Sequence, residues 1–398
     1  MRARSTAALR GGAASARRVL GGSQWQVPSA PQSSFSNTGT HGWYGSTPRT
    51  GNILVTGATG QIGSELVPHL RKKFGDSRVV ASDIKSPAAD SKVGESGSFV
   101  YCDVQQEDGL ARIVLEHGIG TVIHLASLLS AIGEKNPGLA LKVNNRGFEN
   151  VMEVAKQNEL KVFAPSSIAV YGDGVQRDNT PDLSIHRPST MYGITKVHCE
   201  LLGIYNQQKF GVDFRSLRFP GIISSEAWPG GGTTDYAVEI FYEALLNGSY
   251  QCFLSKDTVL PMMYMPDTLR SITGLLDAAD EKLTQRVYNV AAFSFTPEQL
   301  QQSIAKCMPG FEISYQPDFR QQIADTWPRS LDDSQARKDW DWEPEYDLDG
   351  MVEDMLEKLE GRLIKLGRLP GRVGRKLYGG RQVPPQVDVL PAADKVSE

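Results

Sequence analysis

The chain has 398 residues, 40% hydrophobic and 22% charged, with a net charge of −4, an ordinary globular composition with room for two domains. Such a balance points to no nucleic-acid partner, and no apolar run approaches the roughly 18 residues of a membrane span. Cys102, Cys199, Cys252 and Cys307 lie far apart with no Cys-x-x-Cys and no histidine at ligand spacing, so neither disulfides nor a metal site is indicated.

The first fifty residues stand apart from the rest. "MRARSTAALRGGAASARRVL" carries Arg2, Arg4, Arg10, Arg17 and Arg18, and no Asp or Glu appears before Glu65. A secretory signal needs a continuous apolar stretch, so this composition reads as an organellar transit peptide, here to the mitochondrial matrix, with a disordered basic tail as the plainer alternative. Residues 25–50, rich in Ser, Gly, Pro and Thr, read as linker, and residues 367–398 as a flexible tail without periodicity.

Folded structure is expected to open at "NILVTGATGQIGSELVPHL". Ile53, Leu54 and Val55 form a buried-strand run, and a helical pattern continues through Ile62, Leu66 and Leu70. Between them stand Gly57, Gly60 and Gly63. Glycine there lets the main chain turn sharply and approach a pyrophosphate, which would rest on the helix N-terminus with Thr59, Gln61 and Ile62 beside it. The spacing is G-x-x-G-x-x-G rather than G-x-G-x-x-G. The next strand, "SRVVASDI", ends in Asp83, 20 residues past Gly63 by their numbers, where a carboxylate meets ribose hydroxyls and repels a 2′-phosphate. That favours NAD over NADP, although Lys85, next to Ile84, tempers the preference.

Alternation then continues. "SFVYCDV" reads as strand, "QEDGLARIVLEHG" as helix, "TVIHLAS" as strand, "ALKVNNRGFENVMEVAKQN" as helix and "KVFAPSS" as strand. Such repetition predicts an α/β fold, a Rossmann-type doubly wound parallel sheet, with ligands beyond the carboxyl ends of its strands. The residues to inspect there are Asp103, Ser127, Ser166 and Ser167. A dinucleotide domain over 51–223 and a smaller C-terminal α/β substrate-binding region over 224–366 follow, part of the latter returning to the first domain.

Eight segments in order, "TGATGQIG", Asp83, "CDV", "HLAS", "KVNNRG", "PSSIAVYG", "YGITK" and "RFPGII", resemble the extended short-chain dehydrogenase/reductase family. "PGGGTTDYA", "LPMMYMPDTLR", "SFTPEQL", "DTWP" and "LDDSQARKDWDW" narrow the resemblance to the branch that oxidises L-threonine at its 3-hydroxyl to L-2-amino-3-ketobutyrate. Pro266 in "YMPD" departs from that pattern.

The resemblance implies NAD as cofactor and Tyr192, Lys196 and Ser167 as catalytic residues, with Ser166 the competing serine. Free tyrosine titrates near 10, so it needs help as a base; four residues apart on one helix, the Lys196 ammonium would favour the Tyr192 phenolate and hold the nicotinamide ribose. Ser167 would hydrogen-bond the substrate oxygen. Asp103 and Val104 are expected at adenine, Leu125, Ala126 and Ser127 along the cofactor channel, Ile222 at the nicotinamide amide, and Asn144 as a brace unless it is a helix-surface amide. Ser130, Thr233, Thr234, Asp235 and Trp327 are the substrate candidates. "GGGTTDY" reads equally as a helix entry with a threonine or Asp235 as N-cap, and Trp327 as a core or surface residue.

The family further implies a homodimer built through helices of the dinucleotide domain, and a downstream 2-amino-3-ketobutyrate CoA ligase that consumes the product. Two alternatives stay open: a nucleotide-sugar epimerase or dehydratase with the same triad, and a non-catalytic NAD-sensing regulator on the same fold.

Overall fold

The structure, a computed structural model, describes residues 51–89 and 91–369. The expected leader and linker, and residues 370–398 of the expected tail, lie outside the described residues.

Seven short runs before residue 220 become β1 (Asn52–Thr56), β2 (Val79–Asp83), β3 (Ser98–Tyr101), β4 (Ile119–His124), β5 (Lys161–Phe163), β6 (Ser166–Ser167) and β7 (Asp213–Phe219). After them come β8 (Gly221–Ile223), β9 (Ser249–Cys252), β10 (Leu260–Tyr264) and β11 (Val287–Asn289). The last strands are β12 (Phe293–Phe295) and β13 (Glu312–Tyr315). The main sheet runs β11-β7-β5-β4-β1-β2-β3, with β6 against β7, and every pairing in it is parallel.

Strand alternation explains why both faces are covered. Leu54, Val80, Val122, Val162 and Phe214 pack on one side against Leu110, Phe148 and Val151 of two helices, Glu107–Glu116 and Gly147–Asn158. Their neighbours Val55, Ala81, Ile123 and Phe163 pack on the other against Leu66 and Leu70 of the helix Gly63–Phe74 and Ile272 of the helix Met265–Asp277. A doubly wound parallel sheet buries each strand on two faces, which is why its strands read as continuous apolar runs. Sheet order reverses between β1 and β4, and the crevice at that switch point is where such folds take ligands.

A third core lies in the second half of the chain. It joins Ile240, Phe241 and Leu245 of the helix Tyr236–Asn247 to Leu356 and Leu359 of the helix Leu348–Lys365, and it includes Ile168–Tyr171 next to the main sheet. Here β12-β10-β8 form a three-stranded sheet and β13 pairs with β9. The chain returns to the main sheet between them, where β11 pairs with β7. Pro266 stands in the first turn of Met265–Asp277, where a missing N–H costs no helix bond.

Three elements differ from their expected extents. "KVFAPSS" is two strands, because Pro165 has no N–H to continue the ladder. "TVIHLAS" stops pairing at His124, so Ser127 stands in the loop beyond. The helix expected over "ALKVNNRGFENVMEVAKQN" contains a π-helical turn, Leu141–Arg146, a form met mostly as single turns at functional sites.

Candidate active site

The glycine turn is dictated by its surroundings. Gly57 has φ +69°, and a Cβ on it would lie 2.6 Å from the Ala126 nitrogen. A Cβ on Gly63 would lie 2.4 Å from the Gly57 oxygen. Only glycine fits at either place. The helix that follows has no side-chain cap at its N-terminus, which leaves that end open to an anion. Asp83, at the end of β2, accepts hydrogen bonds from the Thr59 N–H (3.0 Å) and hydroxyl (2.8 Å) through Oδ2, and from the Lys85 N–H (3.2 Å) through Oδ1. Turn and strand end are thereby locked together, with Gly60 and Gln61 exposed at the tip, Ile62 half-buried behind them and Ile84 exposed beyond Asp83.

At the next strand ends, Asp103 is half-buried and accepts from the Gln105 N–H (3.0 Å). Val104 turns its side chain into the core, and its carbonyl accepts from Asn150 (2.9 Å). Leu125 and Ala126 border the glycine turn, and the Ser127 hydroxyl is buried without a partner among the described residues. A buried hydroxyl at a ligand crevice calls for a partner from outside the chain. The glycine cradle, the Asp83 carboxylate and this orphan hydroxyl together fit a dinucleotide.

Asn144, in the π-helical turn, is buried rather than on a helix surface. Its Oδ1 accepts from the Leu128 N–H (2.7 Å), while Nδ2 donates to the Leu128 carbonyl (3.0 Å) and to Thr195 Oγ1 (3.1 Å). Thr195 in turn donates to the Tyr192 carbonyl (2.8 Å). Asn144 therefore pins the loop after β4 to the helix that carries Tyr192.

That helix, Met191–Phe210, starts one residue before Tyr192, capped by Thr190, which accepts from the Gly193 N–H (3.1 Å). Glu134, from the helix opened by half-buried Ser130, accepts from the Met191 N–H (2.6 Å). Lys196 lies on the Tyr192 face, its ammonium 5.4 Å from the ring centroid. It is buried, and Nζ donates to the Pro165 carbonyl (2.8 Å), tying the helix to the segment that leads into β6. The two serines of β6 divide as strand alternation requires. Ser166 is buried and donates to Glu200, whereas Ser167 is half-buried and its Oγ accepts from the Ala169 N–H (3.2 Å).

Behind Ser166 lies a polar network that motif reading missed. Arg218 makes a bidentate pair with Glu200, both bonds 2.8 Å, and also donates to Tyr171 Oη (3.2 Å) and the Asp182 carbonyl (2.8 Å). Burial opposes charge on Arg218, yet Glu200 more than offsets it and its pKa is raised. The available signal was spacing, since Glu200 follows Lys196 by one helical turn and Arg218 stands between the apolar Leu217 and Phe219 of β7.

His124, at the end of β4, shares a hydrogen bond with Thr56 (2.9 Å). Burial, and then the Lys196 charge, push its pKa down to about 3. An unfolded histidine titrates at about 6.5, so between these values the unfolded chain holds a proton that the folded chain does not. Stability is therefore lost as pH falls through this window. His124→Asn is expected to shrink the loss of unfolding free energy between pH 7 and 5 by about 2 kcal/mol; a denaturant titration at both pH values checks this, and an unchanged slope refutes it.

The substrate candidates are less uniform. Asp235 folds its carboxylate back onto its own loop, where Oδ2 accepts from the N–H groups of Gly230 (2.6 Å) and Gly232 (2.8 Å), so it staples the glycine run rather than capping the next helix. Thr233 is buried, and Thr234 lies against Gly221, where a Cβ would approach its Cβ to 2.9 Å, beside Ile222 in β8. Trp327 is buried in the third core, against which Tyr192 also packs, and its carbonyl accepts from Arg177 (2.8 Å).

Comparison with known proteins agrees with this geometry. The model of the NAD dependent epimerase/dehydratase family matches residues 53–291. The mitochondrial L-threonine 3-dehydrogenase of Bos taurus is 48% identical over 305 residues, 76% of this chain and 81% of that protein. Among solved structures, L-threonine dehydrogenase from Phytophthora infestans is 63% identical with a TM-score of 0.76, over 78% of this chain and 100% of that one. The enzyme from Clostridium difficile is 48% identical with a TM-score of 0.77, over 78% of this chain and 98% of that one.

Proposed function

We infer the reaction from one premise: the chain belongs to the NAD dependent epimerase/dehydratase family. It is an NAD-dependent oxidoreductase that oxidises the 3-hydroxyl of L-threonine to give L-2-amino-3-ketobutyrate. The observation that carries this reading is the joining of Tyr192, Lys196 and the β6 serines by the Lys196–Pro165 bond, at the strand ends where this fold takes ligands.

NAD supplies the hydride acceptor. The turn Gly57–Gly63 would hold its pyrophosphate, Asp83 its adenosine ribose, and Lys196 its second ribose. Tyr192 Oη takes the proton of the substrate hydroxyl, with the buried Lys196 ammonium 5.4 Å from its ring centroid. Ser167 is the serine that meets the substrate oxygen, a reading supported by the engagement of Ser166 with Glu200. Thr234 and Ser130 would face the amino-acid end of the substrate. Asp235 acts through the loop it staples.

NADH absorbance followed with L-threonine, L-serine and a UDP-sugar tests the reaction. Turnover of L-threonine supports it, and turnover of the UDP-sugar alone would transfer the chain to the epimerase alternative. Asp83→Ala is expected to raise KM for NAD about tenfold and to narrow the preference over NADP; a wild type that prefers NADP would refute the role given to Asp83.

Ile194 (46% exposed), Leu201 (62%) and Tyr205 (53%) share one face of the Met191–Phe210 helix, an apolar stripe that suits a second copy of the chain. Sedimentation of the purified protein as a monomer would exclude that homodimer. The basic leader and the mitochondrial naming of the Bos taurus relative support a matrix location, which a fusion of residues 1–50 to a fluorescent protein tests. There a CoA-dependent ligase would consume the product, a keto acid prone to decarboxylation.

A further inference from the structure

The loop between β8 and the helix Tyr236–Asn247 carries Thr233, Thr234 and Asp235, and it is fastened from outside itself at two points. At its start, buried Ser224 accepts from the N–H groups of Glu226 (3.0 Å) and Ala227 (3.1 Å) and donates to Glu65 Oε1 (2.5 Å). Glu65 stands in the first turn of Gly63–Phe74, directly after the glycine turn. Burial raises its pKa, with the Ser224 hydrogen bond acting in the opposite sense.

The second fastening comes from the other end of the chain. Arg362, in the helix Leu348–Lys365, donates to the carbonyls of Ser225 (2.9 Å) and Glu226 (2.7 Å) and to Tyr242 Oη (3.2 Å). Its guanidinium lies 4.8 Å from the Trp228 ring centroid, and that ring stacks on Tyr242 at 4.6 Å and 16°. The loop between these ties and Thr233 contains Gly230, Gly231 and Gly232. Glycines leave a chain many conformations to lose, so a loop of this composition keeps its threonines in place only if its ends are held.

We propose that Glu65 and Arg362 are positioning residues for the substrate, Glu65 by tying the loop to the cofactor-binding helix through Ser224 and Arg362 by holding its carbonyls and Trp228. The proposal rests on the reading that this loop meets L-threonine. Neither residue touches the reacting atoms. Their removal broadens the loop's ensemble, which weakens substrate binding while the glycine turn and Asp83 remain as they are.

The test uses the full chain and two readouts. Glu65→Ala and Arg362→Met are expected to raise KM for L-threonine about tenfold and to leave KM for NAD within about twofold. Glu65→Gln is expected to restore KM for L-threonine to within about threefold of wild type, since its amide oxygen still accepts from Ser224. Hydrogen exchange with NAD alone reports the tie directly: the Glu226 and Ala227 amides should lose protection in Glu65→Ala and regain it in Glu65→Gln. Parallel rises in both KM values, no rescue by Gln, or unchanged exchange at Glu226 and Ala227 would overturn the proposal. Ser224→Ala removes the same bond from the loop side and takes the place of Glu65→Ala if that variant does not fold. A wild type inert toward L-threonine would instead remove the functional reading, while the exchange experiment still decides whether Glu65 holds the loop.

Discussion

Tyr192→Phe is expected to lower kcat for L-threonine oxidation by about 10²–10⁴-fold, the usual contribution of a positioned acid or base, with KM changed only a few-fold. The phenyl ring keeps the packing of Tyr192 against the third core, and the Thr195 bond to the residue 192 carbonyl is a main-chain contact that survives the substitution. The loss therefore isolates the hydroxyl. An interaction made only in the transition state lowers kcat and kcat/KM together, and that pattern in NADH formation is the signature to seek. A variant that retains more than about a tenth of wild-type kcat would show that another group accepts the proton.

Glu200→Ala is expected to cost about 3–5 kcal/mol of folding stability, because it leaves the buried Arg218 guanidinium without its anion. Ser166 loses its acceptor at the same stroke. The contrast is Asp277→Ala, which breaks the solvent-facing Lys73–Asp277 pair, worth at most about 1 kcal/mol. Urea titration of the two variants against wild type separates the cases. A Glu200→Ala loss below about 1 kcal/mol would mean that Arg218 reaches water or finds another carboxylate, with Asp182, 3.9 Å away, the nearest candidate.

The parts of the site that were legible in the sequence are those where one residue type answers a backbone requirement. Gly57 and Gly63 stand where any side chain collides, and Asp83 ends a strand whose alternation was readable. Tyr192 and Lys196 share a helix face by their spacing, and the family resemblance and the motifs around them marked them as a catalytic pair. What resisted reading depends on contacts between distant segments. Asn144 was expected as a brace only through the family resemblance, and which segments it clamps is visible only when Leu128 and Thr195 are brought to its π-helical turn. Asp235 looks like a helix cap in one dimension, and only the glycine loop's curl reveals its actual partners. The break in "KVFAPSS" went unread although Pro165 is its local cause, and the use of that proline's carbonyl as an anchor for Lys196 has no local sign at all.

The return of the chain to β11 bears on how the two halves live together. Val287, Tyr288 and Asn289 cover the outer side of β7 when the polypeptide has built only part of the smaller lobe, with β12, β13 and the helix Leu348–Lys365 still to follow. A fragment ending at Ile223 would leave that side as an uncapped row of peptide groups, the kind of border that recruits strands from other molecules. The halves are thus woven rather than strung. Their unfolding belongs to one cooperative event, and a graft of either half onto another enzyme would have to carry the closing strand along.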